Sequence, residues 1–136
     1  MQFRDFTKNE IDAAYQLKLS GFVWKWEMGD FFTPDFKSVH MAMSQEGEGV
    51  DACIVNKNGE KFILKKVVWL PKWSQCVQWF IGQGLPKINV ETLPEYSKVE
   101  VQGTEVGPVM GMGVTDLEAA YETMTEILNL RQGGFL

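Results

Sequence analysis

The chain has 136 residues, with 13 basic and 18 acidic side chains and a net charge of -5. That length fits one globular domain, residues 1–136, large enough to bury a core without disulfide or metal staples. The acidic balance argues against broad nucleic-acid binding, which needs clustered Lys and Arg to displace counterions. The N-terminal Met1-Gln-Phe-Arg-Asp-Phe6 lacks the apolar run of a signal peptide, and no apolar run approaches the ~20 residues of a membrane span. A cytoplasmic protein with no membrane partner is therefore expected. Two cysteines, Cys53 and Cys76, imply no disulfide framework, and both are expected to be buried thiols.

Thr7-Lys-Asn-Glu10 has the form of a capping box, which predicts a helix running to about Ser20 and stopped by Gly21. Phe22-Val-Trp-Lys-Trp-Glu27 alternates apolar and polar residues and predicts a strand with Phe22, Trp24 and Trp26 on one face. Phe31-Phe32 continues it before Pro34. Ser38 to Met43 reads as a short strand with Val39, Met41 and Met43 inward, and Gln45 to Gly49 as a flexible loop. Val50–Val55 and Lys61–Trp69 form a hairpin across the turn Asn56-Lys-Asn-Gly59, because Asn-Gly readily takes positive φ.

Leu70-Pro71 ends that strand. Lys72–Gly82 is then expected to be a helix with Trp73, Val77, Phe80 and Ile81 inward. Lys87–Pro94 reads as irregular, Tyr96–Val101 as a strand and Gly103–Gly113 as a loop. Thr115-Asp-Leu-Glu118 is a second capping box, followed by Leu117, Ala120, Tyr121, Met124, Ile127 and Leu128 at helical spacing. The order predicts an α+β fold: an antiparallel sheet of about four strands packed with three amphipathic helices.

No stretch carries a recognisable catalytic or cofactor motif. His40 is the only histidine, so Ser-His or Cys-His chemistry would have to use it. Among Val39 and Met41, a packing role is favoured. Cys53, Cys76 and His40 lack zinc-ligand spacing, and no metal or other cofactor is expected. Gly107-Pro-Val-Met-Gly-Met-Gly113 precedes a helix, where phosphate can bind. No lysine follows the glycines, and Asp116 and Glu118 would repel an anion, so a mobile connection is favoured. The carboxylate pairs Glu27/Asp30, Glu46/Glu48 and Glu91/Glu95 have no diagnostic spacing. Lys61, Lys65, Lys66 and Lys72 are the best basic stripe, with a solvated strand edge the favoured reading.

The aromatic content stands out: five Trp, nine Phe and three Tyr. Trp24, Trp26, Phe31, Phe32, Trp69, Trp73 and Trp79 are expected to gather around the sheet and the middle helix. Core packing accounts for most of them, and an exposed remainder would mark a partner surface or a stacking pocket. The candidate ligand or partner surface is therefore Trp24, Trp26, Asp30, Phe32, His40, Trp69, Trp73 and Trp79. It suits a protein partner, self-association, or a small ligand held by aromatics and one polar group (Asp30, His40 or Glu27).

The segments Trp26-Glu-Met-Gly-Asp-Phe-Phe32, Trp69-Leu-Pro71 with Gln75, and Asp116-Leu-Glu-Ala-Ala-Tyr121 together resemble a loose group of small, uncharacterised phage- and prophage-type proteins. The resemblance touches about a third of the chain. It implies a sheet sandwiched by helices and an intracellular accessory role on a mobile element, and it carries over no catalytic residue.

Overall fold

The computed structural model describes residues 6–104 and 107–136. Among the described residues, three α-helices and two antiparallel sheets alternate along the chain. Helix α1 spans Lys8–Leu19. Strands β1 (Phe31–Thr33), β2 (His40–Glu46), β3 (Cys53–Asn56), β4 (Lys61–Ile63) and β5 (Val68–Leu70) form one five-stranded sheet in the order β4-β3-β2-β1-β5. Helix α2 spans Trp73–Gly82. Strands β6 (Lys87–Thr92), β7 (Ser97–Gln102) and β8 (Val109–Gly113) form a three-stranded meander, and α3 (Asp116–Gln132) packs across it. The α+β class, the antiparallel pairing and the three helices are as the sequence predicts. The strands divide between two sheets, and the second begins in Lys87–Thr92, within a segment that reads as irregular.

Both predicted capping boxes place their helices. The Thr7 side chain accepts from Glu10 N at 3.1 Å, and Glu10 Oε1 accepts from Thr7 N at 3.0 Å. At α3, Thr115 Oγ1 accepts from Glu118 N, whereas Glu118 Oε1 takes Val114 N rather than Thr115 N. The two helix starts are then joined, since the Thr115 hydroxyl donates to Glu10 Oε2 at 2.5 Å. Glu10 is 0% exposed, so the carboxylate end of this bond is shielded from water, while Thr115 is half-buried.

Two apolar clusters lie on opposite faces of the five-stranded sheet. Phe31, Val68 and Leu70 join the larger cluster with α1, α2, α3 and the meander. Phe32, Ala42, Ile54 and Val67 form the smaller one, with Trp26, Phe62 and Trp69 packed against it. Period-2 geometry sends Phe31 and Phe32 to opposite sides, which is why this adjacent pair is buried throughout.

Several predicted elements change. Phe22–Glu27 forms no strand, although the alternation survives: Phe22, Trp24 and Trp26 are half-buried while Val23, Lys25 and Glu27 are exposed. Both neighbours of β1 in the sheet are already taken by β2 and β5, so this segment packs by its side chains without a hydrogen-bonded ladder. The strand read over Ser38–Met43 runs on to Glu46 with an irregularity between Ala42 and Ser44. That shift leaves Ala42 buried and Met43 exposed. The predicted hairpin forms around Asn56–Gly59, with Gly59 at φ +80°. Its returning arm stops at Ile63, makes one 3-10 turn (Leu64–Lys66), and resumes as β5 beside β1.

In α2 the inward residues are Cys76 and Phe80, while Trp73 and Ile81 face out. The apolar residues of this helix cover more than one face, so composition alone misplaces the buried stripe. Lys87–Pro94, read as irregular, contains β6. The Gly107–Gly113 segment is not a mobile connection: Val109–Gly113 is strand β8, pressed against α3. A Cβ at Gly111 would lie 2.6 Å from Thr123 Oγ1 and 2.8 Å from Ala119 O. Glycine there permits the close helix–strand approach. Cys76 is buried as expected, but Cys53 is only half-buried; both are free thiols. No helix among the described residues is long and apolar enough to cross a membrane.

Candidate functional site

Four residues close a tight turn after the extended aromatic segment. Gly29 adopts φ +97°, which L side chains rarely do, and Asp30 N donates to Glu27 O. The turn brings the Asp30 carboxylate back under the segment. Asp30 Oδ2 accepts from Glu27 N at 2.8 Å and from Trp24 Nε1 at 2.9 Å. Its other oxygen, Oδ1, accepts from Gln75 Nε2 at 2.6 Å. Gln75 is the third residue of α2, and its Oε1 accepts from Lys72 N at 2.8 Å. This bond satisfies a donor left free before the helix and fixes the amide orientation. Asp30, only 4% exposed, thus ties the aromatic segment to the first turn of α2.

Between these two elements runs a groove of about 440 Å³ lined by Trp24, Lys25, Glu27, Asp30, Ser74, Gln75, Gln78 and Trp79. The indoles of Trp24 and Trp79 are half-buried, so each keeps a free portion. Phe22 holds both: it stacks on Trp24 with centroids 5.6 Å apart and meets Trp79 edge-on at 6.0 Å. The Trp24 N–H is spent on Asp30, so that ring presents only its π surface to a ligand. Ser74, Gln78, Lys25 and Glu27 supply donors and acceptors around the rings. One ammonium and two carboxylates give the groove mixed rather than single-signed charge. A second hollow of about 350 Å³, lined by Lys18, Phe22, Trp24, Leu64 and Trp69 among others, also borders Trp24. Lys18 there donates to the carbonyls of Lys65 and Val67 at 2.8 and 2.9 Å, and burial lowers its pKa.

The other candidate residues lie elsewhere. Trp26 stacks on Trp69 with centroids 6.2 Å apart and planes 6° from parallel, and its Nε1 donates to Gln45 Oε1. Phe32 is fully buried and meets Trp69 edge-on. His40 stacks on Phe32 at 5.6 Å and tilts against Phe62 at 4.9 Å. Its ring nitrogens lie 3.0 Å from Ser38 Oγ and 3.0 Å from Asn56 Nδ2. Both ring nitrogens therefore have hydrogen-bonding partners while the ring packs on Phe32 and Phe62. Trp73 is 36% exposed and borders a separate shallow hollow with Thr115, Asp116 and Leu117. Lys61 is paired with Glu46 at 2.7 Å. Among the described residues no group of three or more His, Cys, Asp or Glu is placed to hold a metal ion.

Of the eight candidates, the fold brings Trp24, Asp30 and Trp79 together and sets Trp26, Phe32, His40 and Trp69 in a second group. Sequence reasoning missed the polar walls Lys25, Ser74 and Gln78. The signal for α2's side of the groove was Gln75 three residues after Lys72, the usual place for a side chain that reaches back over a helix start. No protein-family model, curated protein or solved structure matches the chain.

Proposed function

We propose that this chain is a non-enzymatic binding domain that engages a protein partner through the groove between Trp24–Glu27 and α2. The carrying observation is that two half-buried indoles, Trp24 and Trp79, flank a concave surface whose remaining walls are polar. Aromatic rings that bury much area while losing little rotamer freedom are the usual anchors of recognition surfaces. Mixed charge around them suits a peptide backbone with polar side chains better than a phosphate or a nucleic acid. The intracellular accessory role that the phage-type resemblance implies belongs to the same proposal.

The test is selection from a displayed random-peptide library on the immobilised chain. Enriched peptides should lose at least about tenfold in affinity for Trp79→Ala, while Trp73→Ala binds as wild type. Peptides that bind the Trp79 variant unchanged would refute the groove as the contact surface. A second reading, a small polar ligand in the same groove, is favoured by the exposed Glu27 beside the rings. It predicts that low-molecular-weight polar fragments alone shift the Trp24 and Trp79 indole resonances.

A further inference from the structure

The three-stranded sheet ends at β6, whose only strand neighbour among the described residues is β7. The other sheet ends in β4 and β5, three residues each and too short to offer a ladder. At the opposite edge of the meander, β8 lies under α3, whose backbone crowds Gly111. Strand β6 differs from all three. It runs six residues in unbroken register with β7, from Lys87 opposite Gln102 to Thr92 opposite Ser97. Ile88 and Val90 project to the helix-bearing face beside Val101 and Val99, which are 0% exposed. Ile88 packs at the margin of the larger cluster and Thr92 donates to Asp116 at the start of α3, whereas Val90 stays 42% exposed. Lys87, Asn89 and Glu91 occupy the other face.

We propose that β6 pairs antiparallel with β6 of a second copy of this chain, about a two-fold axis through Asn89. The occupant follows from the strand's own sequence, Lys87-Ile-Asn-Val-Glu91. In that register Lys87 faces Glu91 of the second copy at two symmetric places. Ile88 faces Val90 twice on the apolar side, and Asn89 faces itself. Opposite charges directly across strands stabilise a pair, and like charges oppose it. Glu91 already lies 3.6 Å from Lys98 of its own β7, so the row becomes Lys98, Glu91, Lys87 with alternating sign. A one-residue slip would turn Val90 to the polar face. A four-residue slip would set Glu91 against Glu91. Mixed charges on an edge ordinarily guard it against pairing; here they oppose the four-residue slips and favour the register that sets Lys87 against Glu91, an attraction the two-residue slips lack. A six-residue edge buries little area, so the dimer is weak, with a dissociation constant in the micromolar range.

The test is sedimentation velocity of the full chain from about 2 to 500 µM. The mean mass should rise from 15.5 kDa toward twice that value. Lys87→Glu should raise the dissociation constant at least about tenfold, because it creates two like-charge oppositions. Adding Glu91→Lys should restore dimerisation to within about fivefold, since Lys98 then has a like charge beside it. Val90→Lys, at a position already open to water, gives a second loss-of-dimer readout if Lys87→Glu folds poorly. A 15.5 kDa species at every concentration would overturn the proposal. So would a dimer that Lys87→Glu and Val90→Lys leave unchanged, or one that the charge reversal fails to rescue. The groove beside α2 takes no part, so either surface can fail alone.

Discussion

Replacing Asp30 with alanine removes the carboxylate whose hydrogen bonds tie the aromatic segment to α2. Three donors lose their acceptor at once: Trp24 Nε1, Glu27 N and Gln75 Nε2, at 2.9, 2.8 and 2.6 Å. A hydrogen bond to a charged group contributes about 1.5–3 kcal/mol. Trp24 and Gln75 line the groove and can turn to water, which returns part of that energy, so the expected net loss is about 3 kcal/mol. The entropy of unfolding of a chain this long is about 0.29 kcal/mol/K, so the melting temperature should fall by about 10 °C. Asp30→Asn keeps one oxygen for Trp24 and Glu27 but sets its amino group against the Gln75 amide, so it should cost about half as much. Far-UV circular dichroism melts measure both, and the Trp24 indole N–H resonance should move upfield as its acceptor disappears. A melting temperature within about 3 °C of wild type for Asp30→Ala would refute the latch.

Two further outcomes follow from packing and charge. Gly111→Ala forces a methyl group against Thr123 and Ala119 O of α3 and should cost at least about 3 kcal/mol in urea unfolding. Gly107→Ala meets nothing within 4 Å among the described residues and should leave the midpoint unchanged. Burial, and then repulsion from Glu118, raises the Glu122 pKa above its usual 4.5. The folded state therefore binds the proton more tightly than the unfolded state, and stability falls as pH rises from 4.5 through the folded value. Glu122→Gln should raise the melting temperature at pH 7, with the difference from wild type shrinking as pH falls toward 4.

The helix starts were legible because capping chemistry is local: Thr7/Glu10 and Thr115/Glu118 lie three residues apart. The Asn56–Gly59 hairpin was legible for the same reason. Failures came where tertiary contact decides. The alternation at Phe22–Glu27 marked the buried face correctly but could not reveal that both sheet positions beside Phe31 were already filled. Glycines at 111 and 113 look like loop residues until a helix is laid across them. In the groove, Trp24 and Asp30 were visible as an aromatic and a nearby carboxylate. Their connection to Gln75 spans 45 residues, and no local pattern encodes it.

The most direct test of the groove is a ¹H–¹⁵N spectrum of the five indole N–H groups, recorded while a library-selected peptide is titrated in. Binding at the groove predicts shifts at Trp24 and Trp79, with Trp26, Trp69 and Trp73 unmoved. Shifts confined to Trp26 and Trp69, or to Trp73, would place recognition elsewhere and contradict the account.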